Sequence, residues 1–95
     1  MTEHLKHLLS TISLINRSFP DKIPDKSYLH ILKAFYEHLS DRNLAIVIHE
    51  VTGHPIETII NDIYKSTSIP TANTDYQTTL TILVNNGFLD WAQED

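Results

Sequence analysis

The chain has no cysteine and only two glycines among its 95 residues. Without thiols, a disulfide scaffold, a thiolate zinc site and a cysteine nucleophile are all excluded, and the chain suits a reducing cytoplasm. Two isolated glycines cannot build a phosphate-cradling loop. Gly53 and Gly87 instead mark places where the backbone needs a positive φ. No window approaches the ~20 apolar residues of a membrane span, and the opening "MTEHLKHLL" has neither a basic leader nor an apolar run of signal-peptide length. The expected setting is the cytoplasm, with no membrane contact.

Basic residues nearly vanish from the second half. Residues 1–50 carry Lys6, Arg17, Lys22, Lys26, Lys33 and Arg42 against Glu3, Asp21, Asp25, Glu37, Asp41 and Glu50, a net charge of zero. Residues 51–95 carry Lys65 alone against Glu57, Asp62, Asp75, Asp90, Glu94 and Asp95, which accounts for the whole net charge of -5. Such a half repels phosphate backbones and favours a basic partner, although an acidic surface also serves solubility alone.

What is present reads as helices. At 41% hydrophobic and 20% charged residues the chain is a folding one, and its length supplies one core. Leu5, Leu8, Leu9, Ile12 and Ile15 recur at helical spacing and predict a helix over 2–17, ended by Pro20 and Pro24. Asp25 is the expected cap of a second helix over 26–39, with Tyr28, Leu32, Phe35 and Leu39 on one face, widened by Ile31 and Tyr36. Ser40 caps a third over 41–52, carrying Leu44, Val47, Ile48 and Val51 to a left-handed stop at Gly53. Ile56, Ile59, Ile60 and Ile63 mark a fourth over 56–67. Thr71 is the expected cap of a fifth over 72–86, with Tyr76, Leu80, Leu83 and Val84 as its stripe and Gly87 as its end. The same segment alternates at Tyr76, Thr78, Leu80, Ile82 and Val84, and its threonines favour strand, so a hairpin at "NNG" is the rival reading. Caps at both ends, and Leu83 beside Val84 in one stripe, favour the helix. The fold class expected is all-α: a single domain, a compact bundle of about five short helices.

The order of short motifs resembles a small family of uncharacterised, all-helical domains of unknown function with many actinobacterial members. The resemblance runs from about Leu14 to Trp91. It rests on "FPDKIPDKSYLHILKAFYEHLSD", similar to the family's aromatic-Pro-x-x-Val-Pro segment, leucine-rich helix and Leu-Ser/Thr-Asp cap. It continues in "NDIYKSTSIPTANTDYQTTLTILVNNGFLD", similar to a segment with Asp-Ile, an Ile/Thr-rich helix, a Pro-Thr cap and a closing Gly-Trp-Pro-Leu. Here that closing motif is Gly87, Phe88, Leu89 and Asp90, and the acidic pair after the Pro-Thr cap is Asn73 and Thr74. The resemblance implies a bacterial, compact helical fold and brings no activity, cofactor or catalytic residue, since fold alone does not set function.

Several chemistries are weighed against the residues. In "IVIHEVTGHPIE" two histidines flank a glutamate, as in a zinc-protease helix, but His49 and His54 are five apart rather than four. At roughly 100° per residue that spacing turns them roughly 140° from each other. Gly53 and Pro55 moreover end the helix before His54. His4 and His7 share a face of the first helix next to Glu3, without a third ligand close in sequence. His30 and His38 fall near the polar side of the second helix. No serine sits in a Gly-x-Ser-x-Gly elbow, and pairs such as Asp21 with Asp25 or Glu57 with Asp62 read as a turn and a helix surface. A helix-turn-helix over residues 41–67 fits in element length, but its second helix carries Glu57 and Asp62 where DNA phosphates need donors.

The function expected is therefore non-catalytic, with no cofactor, metal or nucleic acid: a protein-interaction or regulatory module with an unidentified protein partner, a basic one being favoured by the acidic second half. Candidate contact residues are Tyr64, Trp91, Asp62, Asp90 and Glu94, an aromatic pair in an acidic setting, with Phe88, Leu89 and Asp95 beside them. For Phe88 and Leu89 the competing expectation is a C-terminal lid on the core, and Trp91 stands open between lid and contact. The alternatives are an acidic inhibitor or immunity-type protein against a basic toxin or nuclease, and a helix-turn-helix DNA-binding regulator.

Overall fold

Local signals set the element boundaries. In the computed structural model, which describes residues 2–93 and their side chains from Lys6 onward, six helices follow one another. They are α1 (Thr2–Ser18), α2 (Asp25–Tyr36), α3 (Asp41–Thr52), α4 (Ile56–Ser66), α5 (Thr74–Asn85) and α6 (Phe88–Ala92). The Ser40 hydroxyl accepts from the Asn43 N–H at 3.2 Å and starts α3. Gly53 ends it at φ 79°, its N–H returning to the His49 carbonyl at 2.8 Å. The "HEVTGH" stretch is thus a helix end, and its turn is tied by the His49 ring Nδ1, 2.8 Å from the His54 carbonyl oxygen.

Other boundaries differ from the sequence reading. Pro24, not Asp25, occupies the cap position of α2, in extended geometry (φ -62°, ψ 143°), and Asp25 lies in the first turn, where its charge complements the helix dipole. The same helix stops at Tyr36, three residues early. The Phe35 carbonyl accepts from both His38 and Leu39 (3.0 and 3.2 Å), a tightened turn that drops Leu39 into the core. Thr71 does not cap α5. Residues 70–73 form a turn closed by the Asn73 N–H on the Pro70 carbonyl (3.0 Å), and the Asn73 side chain accepts from the Tyr76 N–H, also at 3.0 Å. The rival strand at Tyr76–Val84 is absent: Tyr76, Thr79 and Leu83 are buried at helical spacing.

The helices close a ring. In space the neighbours run α1, α3, α4, α2, α5 and back to α1, and α6 caps the seam between α1 and α5. The Cα radius of gyration is 12.3 Å, against about 12.4 Å for a compact domain of this length, so no segment stands off as a second lobe. Leu14, Ile15, Ile31, Leu32, Leu44, Ile48, Ile59, Ile63 and Leu83 fill the interior around Phe35, all fully buried. Phe35 meets Phe88 and Trp91 edge to face at 5.4 and 4.9 Å. Truncating such a ring to alanine costs ~3–5 kcal/mol. No helix among the described residues is long and apolar enough to cross a membrane.

Candidate functional site

The five expected contact residues divide between two places. Tyr64 and Asp62 lie on α4, Trp91 and Asp90 on α6, and these helices do not touch. Glu94 lies outside the described residues, as do Asp95 and the side chains of Glu3 and His4.

On α4 the buried row Ile59, Ile63, Ser66 is flanked by a second row at i, i+4, i+8: Ile56, Ile60 and Tyr64. Ile60 packs against the core edge, whereas Ile56 and Tyr64 remain exposed, Tyr64 at 55%. The α3–α4 hairpin brings the end of α4 to the start of α3, so Asp41 and the exposed ring of Tyr36 stand close to the Tyr64 phenol. That phenol is raised above the ordinary tyrosine range by hydrogen bonding to the Asp41 carboxylate first and by its charge second. Asp62 is committed elsewhere. It accepts from the Tyr28 hydroxyl at 2.9 Å, a tether between α2 and α4, and pairs loosely with Lys65 at 3.9 Å. Burial, then the Asp62 hydrogen bond and charge, push the Tyr28 phenol well above its usual range. Asp62 thus serves the fold from the edge of the face, while Tyr64 is left open.

On α6 the two readings left open for Trp91 resolve toward the lid, correcting its place among the candidate contact residues: it is 3% exposed. The five-residue helix puts Phe88 and Trp91, three apart, inward and leaves Leu89 and Asp90 outside, so Phe88 is lid and Leu89, at 57% exposure, is not. The Trp91 indole N–H donates to the Thr11 hydroxyl at 2.9 Å, and that hydroxyl donates to the His7 carbonyl at 2.7 Å. His7 stacks on the indole with ring centroids 5.0 Å apart, and His38 meets it edge to face at 5.5 Å. Sequence reasoning missed Thr11, whose place among Leu8, Leu14 and Ile15 on the buried face of α1 was the available signal. It also placed His30 on the polar side of α2. His30 is buried near Tyr76, with Nδ1 unpartnered.

Beside the buried indole, between α1 and the α5–α6 junction, lies a cleft of about 310 Å³ lined by Ser10, Ser13, Arg17, Gly87, Asp90 and Trp91. Arg17 Nη2 donates there to the Asn86 carbonyl at the end of α5 (3.0 Å). Asp90, expected as rim of an aromatic contact, is exposed and lines this cleft. Among the described residues no three His, Asp or Glu side chains converge as metal ligands would. No family model, no curated protein and no solved structure matches the chain.

Proposed function

We propose that the protein is a non-catalytic interaction module that contacts a protein partner through the outer face of α4. The observation that carries this reading is the open aromatic face: Tyr64 and Tyr36, exposed on rigid helices with Ile56 along the same row and Asp41 and Glu57 near it. Large rings held on helices lose little conformational entropy on binding, and a charged border around an apolar centre is the usual composition of a contact surface. The carboxylates give the face a preference for a basic partner. Kinship with the actinobacterial helical family, proposed from its motifs, is compatible with this role and adds no activity.

The test is affinity capture from cells of the source organism with the wild-type protein, a Tyr64→Ala/Tyr36→Ser double variant, and a Thr78→Ala control on the exposed side of α5. A specific partner is expected to be lost from the double variant, kept by the control, and released by moderate salt if its surface is basic. Equal recovery with all three proteins would refute the face.

A further inference from the structure

We infer that the cleft between α1 and α6 is a binding site for a small zwitterion of the α-amino acid class, which spans the unpaired charges of Arg17 and Asp90. This site is separate from the α4 face and does not rest on the interaction role proposed for it.

Three observations combine. The cleft's two charged groups have opposite sign, come from different helices and do not pair with one another; among the described residues the one ion pair is Lys65 with Asp62. Arg17 Nη2 donates to the Asn86 carbonyl at 3.0 Å, where the end of α5 gathers partial negative charge, a contact that draws the exposed guanidinium toward α5 rather than toward Asp90. The remaining guanidinium N–H groups are available to a carboxylate, which a guanidinium can grip with two parallel bonds. The Asp90 carboxylate on the other wall can only accept, and so asks for a cation.

The neutral lining agrees with that polarity. The Ser10 hydroxyl already donates to the His7 carbonyl at 2.9 Å, so what it offers the cleft is lone pairs, again suited to an ammonium. Gly87, in the left-handed region at φ 106°, forms the floor of the cleft next to the guanidinium, with a Cβ at that position coming into ordinary contact, 3.5 Å, with Arg17 Nη2. At about 310 Å³ the cleft stands at the lower end of small-molecule sites. One occupant carrying both an anion and a cation a few bonds apart satisfies both walls, whereas a simple anion leaves Asp90 unanswered and a simple cation leaves Arg17 so.

The experiment titrates isotopically labelled full chain at constant ionic strength with L-alanine, and separately with acetate and with methylammonium. It follows the amides of Gly87 and Asp90, the Arg17 Nε–H and the Trp91 indole N–H by NMR. L-Alanine is expected to shift these signals saturably in the millimolar range, with each half-ligand roughly tenfold weaker, as the loss of one charged hydrogen-bonding contact implies. Asp90→Asn should weaken L-alanine by a similar factor without weakening acetate, and Arg17→Lys should retain more binding than Arg17→Gln. Unaltered Trp91 emission in each variant certifies the fold. Acetate binding as tightly as L-alanine, indifference of L-alanine to Asp90→Asn, or no saturable shift up to roughly 50 mM would each overturn the assignment.

Discussion

Thr11→Val isolates the bond that fastens the end of the chain to its beginning. The Thr11 hydroxyl is fully buried and the indole it serves is 3% exposed, with 2.9 Å between Nε1 and Oγ1. Valine has the shape of threonine, so packing around position 11 is preserved. The His7 carbonyl loses the hydroxyl but keeps its helical N–H partner within α1. What changes is that a buried indole N–H loses its acceptor, at a cost of ~1–3 kcal/mol. For a domain of this size each kcal/mol lowers the melting temperature by roughly 4–8 °C. Thermal unfolding followed by circular dichroism gives the number, and Trp91, the sole tryptophan, reports its own surroundings by fluorescence. The decisive comparison repeats Thr11→Val in a Trp91→Phe background. There the donor is absent, so exchanging a hydroxyl for a methyl group should be close to neutral, giving a coupling on the order of 1 kcal/mol or more. An equal cost of Thr11→Val in both backgrounds would refute the bond as a source of stability.

Tyr28→Phe removes the tether from α2 to the Asp62 carboxylate and should cost about 1 kcal/mol, below the usual range for a charged acceptor because the pair is only partly shielded from water. Since the folded-state phenol is raised, its contribution is fully present below the unfolded tyrosine value near ~10 and is lost as pH rises through the folded value. Ultraviolet titration should therefore show one tyrosine ionising later than the rest, a feature missing in Tyr28→Phe. Gly53→Ala meets nothing within 4 Å at its added Cβ, so its cost is backbone strain alone at φ 79°, roughly 1–2 kcal/mol by chemical denaturation. Gly53→Asn should recover part of that, and a Gly53→Ala protein as stable as wild type would show that the turn is not held left-handed.

The helices were legible because each carries a stripe deep enough to be buried on one side and a boundary residue whose side chain or φ has one local use. Ser40 and Gly53 are such residues, and both act where the spacing puts them. Boundaries failed where two local candidates competed. Asn73 displaced Thr71 because the Pro70 turn consumes the intervening residues, and α2 ended early because the Phe35 carbonyl is shared between the His38 N–H, an i→i−3 bond, and the Leu39 N–H, so the last turn tightens. Tyr64 could be read as exposed since Ile59 and Ile63 already define the inner side of α4. Trp91 could not be placed, because its burial depends on a hydroxyl 80 positions away, and no periodicity within "GFLDW" encodes that distance. The cleft was invisible for a related reason: Ser10, Ser13 and Arg17 look like the solvent side of a first helix until α6 is laid beside them.

The short last helix ties these observations together. Five residues cannot hold a helix by their own hydrogen bonds, because nucleation costs more than so few bonds return. α6 exists because Phe88 and Trp91 are drawn in against Phe35, and because the indole finds its acceptor on Thr11. The same docking sets Asp90 across the cleft from Arg17, and Gly87 supplies the turn at φ 106° that lets the chain fold back from α5. The cleft is therefore as stable as the attachment of the tail and no more so: a perturbation such as Thr11→Val that loosens the indole also moves one of the two charges of the site. Tyr64 lies on a helix that touches neither α5 nor α6 and is seated by the buried Ile59, Ile63 and Ser66 and by Ile60 at the core edge. Energetic coupling between the two places would have to pass through α2 or α3 and across Phe35, whose tight packing leaves little room for a second arrangement. The proposed face on α4 and the proposed cleft site under α6 are therefore expected to respond to mutation independently of one another.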